Sequence, residues 1–418
     1  MKYNILHGDC RELMATLEEN SVDAIVTDPP YELGFMGKSW DASGVAFDVN
    51  TWKEALRVLK PGGHLIAFSG SRTYHRMAVA IEDAGFEIRD QIMWVYGSGF
   101  PKSHNISKGI DKAAGAEREV IGETRKGAQS ESTGRYGAWG DGITPTAPAT
   151  PAAQQWDGWG TALKPAHEPM VLARKPIVGT VANNVLTHGT GGLNIDSSRV
   201  AGEVPSVPQW SRSDSNAPYD ATGRNGQMSQ PHSQGRWPAN FIHDGSDEVV
   251  GLFPEAGNKW KRNYGTEDYE GKQYKGGTFG GGGYNGANTY ADSGSAARFF
   301  YCAKASKRDR NEGLDGFVPK QVFGDDGGTY QGLSDSKVPS ANHHPTVKPT
   351  TLMQYLVRLV TPPNGVVLDP FLGSGSTGKA CAYEGFDFIG MELTAEYIPI
   401  ATARIEFALA NKDEMLDL

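Results

Sequence analysis

A short apolar strand that runs into an Asp-Pro-Pro-Tyr segment restricts the fold of this chain more than any other feature. Residues 23–27 are a continuous run of Asp, Ala, Ile, Val and Thr, as in a strand of a parallel sheet, and Asp28-Pro29-Pro30-Tyr31 follows directly. Strands alternating with helices predict an α/β fold, with a parallel sheet between layers of helices. The neighbouring strands are predicted at Tyr3–Leu6 and His64–Phe68, and the helices at Arg11–Glu19, Trp52–Leu59 (stopped by Pro61-Gly62-Gly63) and Arg72–Ala84.

The same alternation returns near the other end of the chain. We predict a helix at Thr351–Val360, strands at Val366–Leu368 and Phe386–Met391, and a helix between these strands that ends near Tyr383. Glycines in a strand-to-helix turn let the backbone approach a ligand, and an acid at the end of the next strand commonly accepts from ribose hydroxyls. The turn has Asp369, Phe371, Gly373, Ser374 and Gly375, and the acid is Glu392.

A phosphate-binding loop is a competing interpretation of this turn. Residues 373–379 fit the GxxxxGK pattern, but Ala380 follows where Ser or Thr should hold magnesium. The pattern therefore disfavours a nucleoside triphosphatase, and Lys379 is expected to be a solvated helix residue.

The middle of the chain differs from both ends. Residues 144–151 have the composition of a linker, and residues 257–294 are so rich in Gly, Tyr and Asn that a mobile loop is expected. Two segments there are predicted as strands, Pro169–Ala173 and Arg298–Ala303. We predict three parts: a catalytic half at 1–110, a loop-rich insertion and target-recognition region at 111–340, from which 160–176 returns to the sheet, and a cofactor-binding half at 341–418.

Composition excludes little. The formal net charge is −9, which argues neither for nor against nucleic acid, since basic residues may be gathered on one face. The three cysteines are far apart, so neither a disulfide framework nor a metal site is expected, in keeping with a reducing cytoplasm. No signal peptide or membrane span is expected, because the apolar runs are too short.

The Asp28-Pro29-Pro30-Tyr31 segment suits chemistry on a base amine. An exocyclic nitrogen conjugated with its ring is a poor nucleophile, and two acceptors on its hydrogens would draw it towards tetrahedral geometry. The Asp28 carboxylate and a carbonyl oxygen fixed by proline could accept these hydrogens, and Tyr31 could stack on an extruded base. A plain Pro-Pro turn is the bland alternative. Asp9, in Gly8-Asp9-Cys10, is by itself an ordinary turn aspartate, but beside the other two motifs it becomes a candidate acceptor for the adenine amine of a cofactor.

With these motifs in this order, the sequence resembles the β class of DNA amino-methyltransferases, in particular phage and prophage members. The resemblance extends to residues 344–349 (HPTVKP), 94–101 (WVYGSGFP), 163–176, 235–240 and 298–310. It implies a Rossmann-like, circularly permuted methyltransferase fold with seven strands, one of them antiparallel, and S-adenosylmethionine as methyl donor.

The resemblance also implies roles for single residues. The catalytic set would be Asp28, Pro29, Pro30 and Tyr31, which hold the target amine. The cofactor set would comprise Glu392 at the ribose, Asp9 and Cys10 at the adenine, Thr346 and Lys348 at the methionine end, and Asp369, Phe371, Gly373, Ser374 and Gly375 as the cradle.

The predicted reaction is direct methyl transfer to adenine N6 in double-stranded DNA, with base flipping and without a metal. No cysteine lies near Tyr31, which disfavours methylation at a ring carbon. Alternatives left open are cytosine N4, an RNA or protein amine, a non-catalytic DNA-binding relative and a NAD-dependent oxidoreductase. A homodimer is expected, and the basic residues Lys304, Lys307, Arg308 and Arg310 are expected either to contact DNA phosphates or to form a solvated turn.

Overall fold

The elements follow from a computed structural model that describes residues 1–33, 43–99, 103–123, 144–201, 208–209, 227–228, 235–256, 294–303, 307–320 and 340–412. The strands are β1 Tyr3–His7, β2 Val22–Thr27, β3 Leu59–Phe68, β4 Glu87–Val95, β5 His167–Arg174, β6 Pro208–Gln209, β7 Gln227–Met228, β8 Phe241–His243, β9 Glu255–Ala256, β10 Gly294–Ser295, β11 Tyr301–Cys302, β12 Val366–Asp369 and β13 Asp387–Glu392. The helices are α1 Cys10–Ala15, α2 Val49–Val58, α3 Tyr74–Asp83, α4 Ile106–Ala113, α5 Pro151–Gln155, α6 Val181–His188, α7 Asp247–Val250, α8 Lys307–Asn311, α9 Thr350–Val360, α10 Ser376–Glu384 and α11 Ile398–Ala410.

The central sheet has the order β1-β13-β12-β2-β3-β5-β4-β8-β11. All its strands run in one direction except β5, which pairs antiparallel with both β3 and β4. This is a Rossmann-like α/β fold with a mostly parallel sheet, as predicted. The sheet joins the two ends of the chain, because β1 pairs with β13, and β2 with β12.

The strand count differs from the seven expected. In the order of the sheet, seven strands run from β1 at one edge to β4. Beyond β4, the strands β8 and β11 extend the sheet. Both come from the 111–340 region, which also supplies β5. The predicted strand at Arg298–Ala303 is largely wrong, because Ala296–Phe299 form a 3₁₀ turn and only Tyr301–Cys302 pair.

Helices pack on both faces of the sheet because each presents an apolar stripe. On one face, α9, α10 and α11 bury residues such as Leu356, Cys381 and Ile405. On the other, α2 and α3 bury Trp52 and Met77. The cap of α2 is Asp48, whose side chain accepts from the Asn50 amide and satisfies one of the amides that a helix start leaves open.

Two departures from the predicted element boundaries are the largest. Helix α1 ends at Ala15, four residues earlier than expected. Helix α2 runs directly into β3 at Leu59, so Pro61-Gly62-Gly63 lies inside the strand instead of stopping the helix. Gly63 is required there, since a Cβ would lie 2.7 Å from the Leu59 side chain.

The loop expected at 257–294 lies outside the described residues, apart from Gly294. Within the described part of the chain, no helix is long and apolar enough to cross a bilayer. No group of three or more His, Cys, Asp or Glu side chains in that part is placed to hold a metal ion.

Candidate active site

The carboxyl edge of the parallel strands brings most of the predicted residues together. Asp28 follows β2, Asp369 ends β12 and Glu392 ends β13, on three neighbouring strands. Because β5 runs antiparallel, it begins at this same edge, and Glu168 therefore joins them. Ligands bind at this edge in open α/β sheets.

Asp28 is paired with a lysine from the distant end of the chain. The Nζ of Lys348 donates to Asp28 Oδ2 at 2.5 Å and to the Tyr31 hydroxyl at 3.2 Å. It also lies 4.9 Å from the ring centroid of Phe68. Burial by itself lowers the pKa of Lys348, but the carboxylates of Asp28 and Glu168 outweigh it and raise that pKa. Lys348 is therefore a buried cation that fixes one oxygen of Asp28.

Tyr31 is held at its hydroxyl by two groups. It accepts from Lys348 and donates to Glu168 Oε2 at 3.1 Å. Burial raises the pKa of Tyr31 well above its ordinary value, and the nearby Asp28 and Glu168 carboxylates raise it further. Tyr31 thus remains a neutral phenol with a fixed ring.

The second oxygen of Asp28 has a different environment. Asp28 Oδ1 is buried and has no hydrogen-bond partner among the described residues. A buried carboxylate oxygen left unpaired costs free energy, on the order of 1–3 kcal/mol, unless a ligand supplies a donor. The arrangement is therefore suited to accept a hydrogen bond from a bound amine. Pro29, the next residue, is buried, and Pro30 is half-buried.

Glu392 is tied to the glycine turn. Its Oε2 accepts from the Gly373 amide at 2.8 Å and its Oε1 from the Thr394 amide at 2.7 Å. Burial is the main reason that its pKa is raised. Each oxygen retains a further lone pair, so Glu392 can still accept from hydroxyls at the sheet edge.

The carboxylate of Asp369 accepts hydrogen bonds from groups within the protein. Oδ1 accepts from the Thr27 hydroxyl at 2.5 Å and the Phe371 amide at 3.0 Å, and Oδ2 from the Thr377 hydroxyl at 2.6 Å. Burial raises its pKa to about 6. Asp369 therefore joins β2, β12 and α10, and both of its oxygens are bonded within the protein. Phe371 is partly buried against the α2 side.

Ser374 and Gly375 are likewise constrained by packing. The fully buried Arg404 donates to the carbonyl oxygen of Ser374 at 2.5 Å and to its hydroxyl at 3.0 Å. Gly373 and Gly375 have φ of +52° and +79°, and a Cβ on Gly375 would lie 2.9 Å from Ala401. The turn thus needs both glycines for its own geometry.

The first predicted acid lies at the same edge but is also engaged. Asp9 caps α1 through the Arg11 amide at 2.9 Å and pairs with the Arg11 guanidinium at 2.7 Å. The hydrogen bond from Arg11 is the main reason that its pKa is lowered. Cys10 is buried in α1, and burial raises its pKa to about 12, so it is a thiol at neutral pH.

Thr346 is exposed, whereas His344 nearby is packed into the site. A Cβ on Gly373 would lie 2.9 Å from His344 Nε2. The ring is neutral at pH 7, since burial lowers its pKa to about 4.

One predicted solvent-facing role requires correction. Lys379 is not solvated: it is fully buried and pairs with Glu312 at 2.6 Å. Arg310, expected at DNA phosphates or on a solvated turn, donates to the carbonyl oxygens of Asn342 and His344 at 3.2 and 2.8 Å, and its contact with DNA stays a prediction. Lys304 lies outside the described residues, as do the side chains of Lys307 and Arg308, so their DNA contacts stay predictions.

Sequence reasoning missed Glu168 and His344 as members of the site. Both lie in segments already similar to the methyltransferase class, at 163–176 and 344–349. An acid at the start of the antiparallel strand was the available signal for Glu168, but it requires knowing the direction of β5.

Comparisons with known proteins give a consistent result. A family described as DNA methylase (N6_N4_Mtase) matches residues 22–403. A stretch of 55 residues, 13% of this chain and 24% of its relative, is 53% identical to YubD of Escherichia coli (strain K12). Another of 66 residues, 16% of this chain and 22% of its relative, is 39% identical to the DNA adenine methyltransferase YhdJ of the same organism. The matches thus span about a quarter of these curated relatives.

Solved structures are similar at low identity. The PvuII DNA methyltransferase (cytosine-N4-specific) is 14% identical, with 100% of this chain and 93% of that chain covered and a TM-score of 0.43. The M1.HpyAVI–SAM complex is 16% identical, with 96% and 98% covered and a TM-score of 0.38. Neither likeness carries an argument about activity.

Proposed function

The chain belongs to the N6/N4 DNA methylase family, and we propose that it transfers a methyl group from S-adenosylmethionine to the N6 amine of adenine in double-stranded DNA. The observation that carries the proposal is the divided environment of Asp28. One oxygen is fixed by Lys348, and the other is buried at the carboxyl edge with no partner in the part of the chain that the structure describes.

In this proposal Asp28 Oδ1 accepts a hydrogen bond from the target amine. Methyl transfer places growing positive charge on that nitrogen. The Asp28 and Glu168 carboxylates together with the Lys348 ammonium form a cluster that carries one net negative charge. A fixed negative field matched to a developing positive charge lowers the barrier without any need for a strong base. The Pro29 carbonyl oxygen would accept the second amine hydrogen.

Tyr31 and Lys348 serve as positioning groups for Asp28. Tyr31 stays a phenol, held by Glu168, so that its ring can stack on an extruded base. Holding the two reactants in line supplies much of the expected rate. The buried Cys10 thiol is a poor nucleophile, which agrees with direct transfer to an amine.

The residues at the glycine turn fit S-adenosylmethionine, which would supply an activated methyl group. Glu392 has lone pairs for ribose hydroxyls, and the positive-φ Gly373 keeps the backbone open next to it. The roles predicted for Phe371, Thr346, Asp9 and Cys10 at the cofactor remain part of the proposal. For Asp369 and Ser374 we propose support of the turn, since their polar atoms are bonded within the protein.

Adenine is preferred to cytosine because Asp28 stands where N4-specific relatives often carry Ser. The matched stretch of YhdJ, named a DNA adenine methyltransferase, agrees with this choice. We also propose base flipping and a homodimer. Light scattering at micromolar concentration would contradict the dimer if it gave a fully active species of 45.0 kDa.

Long-read sequencing of DNA from a host that expresses the protein tests the proposal. We expect N6-methyladenine at one short sequence motif, and no mark in a host expressing Asp28→Ala. The exposed Asp157→Ala variant is the matched control and should give the wild-type mark. N4-methylcytosine at the motif would replace adenine as the target, and unmodified DNA from a well-expressed, folded wild type would contradict the function.

A further inference from the structure

A short helix at the end of the insertion holds one wall of the active site. The guanidinium of Arg310, in α8, donates to the carbonyl oxygens of Asn342, His344 and Pro345 at 3.2, 2.8 and 3.4 Å. The side-chain amide of the buried Asn342 donates back to the Arg310 carbonyl oxygen at 2.9 Å. Segment 342–345 is thus fixed to α8 by contacts in both directions.

This segment lies between the two functional halves of the site. His344 packs against Gly373 so closely that a Cβ there would lie 2.9 Å from its Nε2. Four residues further along, Lys348 donates to Asp28 Oδ2. The backbone that Arg310 holds therefore sets the place of the glycine turn on one side and of Asp28 on the other.

Asp309 and Glu312, which lie beside Arg310 in sequence, contact the residues that support the glycine turn and α10. The Asp309 carbonyl accepts from Arg404 at 2.9 Å, and Arg404 also holds Ser374. Glu312 pairs with the buried Lys379 of α10 at 2.6 Å. Residues 309–312 are thus connected to the glycine turn through Arg404 and to helix α10 through Lys379.

We infer that Arg310 is a positioning residue for methyl transfer, acting through segment 342–348. This rests on the proposed function. The planar fork of an arginine can bond several carbonyl oxygens at fixed angles, which the single ammonium of lysine cannot reproduce. The inference also separates Arg310 from Lys307 and Arg308, whose predicted partners are DNA phosphates.

Arg310→Lys and Arg310→Met test it together. We expect both to lower kcat and the affinity for S-adenosylhomocysteine by about 10-fold or more, the effect of losing hydrogen bonds from a charged donor. Hydrogen exchange in 342–348 should become faster, and the slope of log DNA affinity against log salt should stay at the wild-type value. The matched control is Arg358→Met, which removes another part-buried arginine, paired with Glu384 at 2.5 Å. It should lower Tm but keep kcat and cofactor affinity.

The opposite results would overturn the inference. A phosphate contact predicts that Arg310→Lys keeps its activity and that Arg310→Met flattens the salt slope by roughly 0.9. Wild-type kcat, cofactor affinity and exchange in either variant would also contradict it, and if Arg310→Met does not fold, Arg310→Lys decides. If the wild type itself bound no S-adenosylhomocysteine, the proposed function would fail, while the exchange measurement would still report whether Arg310 holds the segment.

Discussion

Two aspartates, each followed by proline, end neighbouring strands of the same sheet, yet they have opposite environments. Asp369 accepts three hydrogen bonds from Thr27, Phe371 and Thr377. Asp28 has one oxygen bonded to Lys348 and one buried with no partner among the described residues. Hydrogen bonds offset part of the cost of burying Asp369, whereas the unpaired oxygen of Asp28 is a cost that a ligand can offset. The contrast separates a structural residue from a catalytic one where sequence context is nearly the same.

The largest expected effect is at Asp28. Asp28→Ala should lower kcat by about 100-fold or more, because it removes an interaction made with the developing charge in the transition state. Cofactor affinity should stay unchanged, since the cofactor is held at Glu392 and the glycine turn. Steady-state kinetics together with calorimetry on S-adenosylhomocysteine checks both parts. Full turnover in the variant would remove Asp28 from the reaction.

Asp369 should show itself in the pH dependence of stability. Its pKa is about 6 in the folded protein against an ordinary 3.8, so the folded state binds its proton more tightly. The associated stability is present below pH 4 and is lost as pH rises to about 6, by roughly 3 kcal/mol. Urea denaturation from pH 4 to 7 should therefore show wild type losing stability relative to Asp369→Asn. A constant difference across this range would contradict the assignment.

Glu392 sharpens the comparison, because it combines internal bonds with free lone pairs. Glu392→Ala should weaken S-adenosylhomocysteine binding by about 1–3 kcal/mol, the range for a charge-assisted hydrogen bond. The exposed Glu396→Ala variant is the control and should bind as wild type. An unchanged dissociation constant in Glu392→Ala, measured by calorimetry, would place the ribose elsewhere.

The smallest effect is expected from the basic segment. Replacing Lys307 and Arg308 with Gln should flatten the plot of log DNA affinity against log salt by roughly 0.9 per lost phosphate contact, without changing site preference. Replacing Lys2 and Lys53, which lie away from the carboxyl edge, should leave the slope intact. A wild-type slope in the Lys307 and Arg308 variant would show that these two side chains are ordinary surface residues.

The sequence predicted the shared edge well, because the direction of parallel strands determines where their ends lie. Alternation and glycine spacing placed Asp28, Asp369 and Glu392 at the ends of predicted parallel strands, and the structure shows that these strands are neighbours. The engagement of their oxygens could not be predicted, since it depends on partners such as Thr27 for Asp369, 342 residues away.

The burial of charged residues could not be predicted from the sequence either. Lys379 follows a glycine-rich turn and reads as a surface lysine, but Glu312, 67 residues earlier, makes its burial possible. Glu168 was missed because nothing local shows that β5 runs against its neighbours. The prediction missed β8 and gave β11 the wrong bounds because strands of two or three residues carry too little periodicity to be detected.

Two matched substitutions, Asp28→Asn and Asp369→Asn, test the central contrast most directly when each is assayed for both kcat and Tm. We predict a crossed result: Asp28→Asn stays folded and loses methyl transfer, whereas Asp369→Asn shifts Tm at neutral pH and keeps methyl transfer in the folded enzyme. Methyl transfer at the wild-type rate by Asp28→Asn, with loss of transfer in a fully folded Asp369→Asn, would contradict the account.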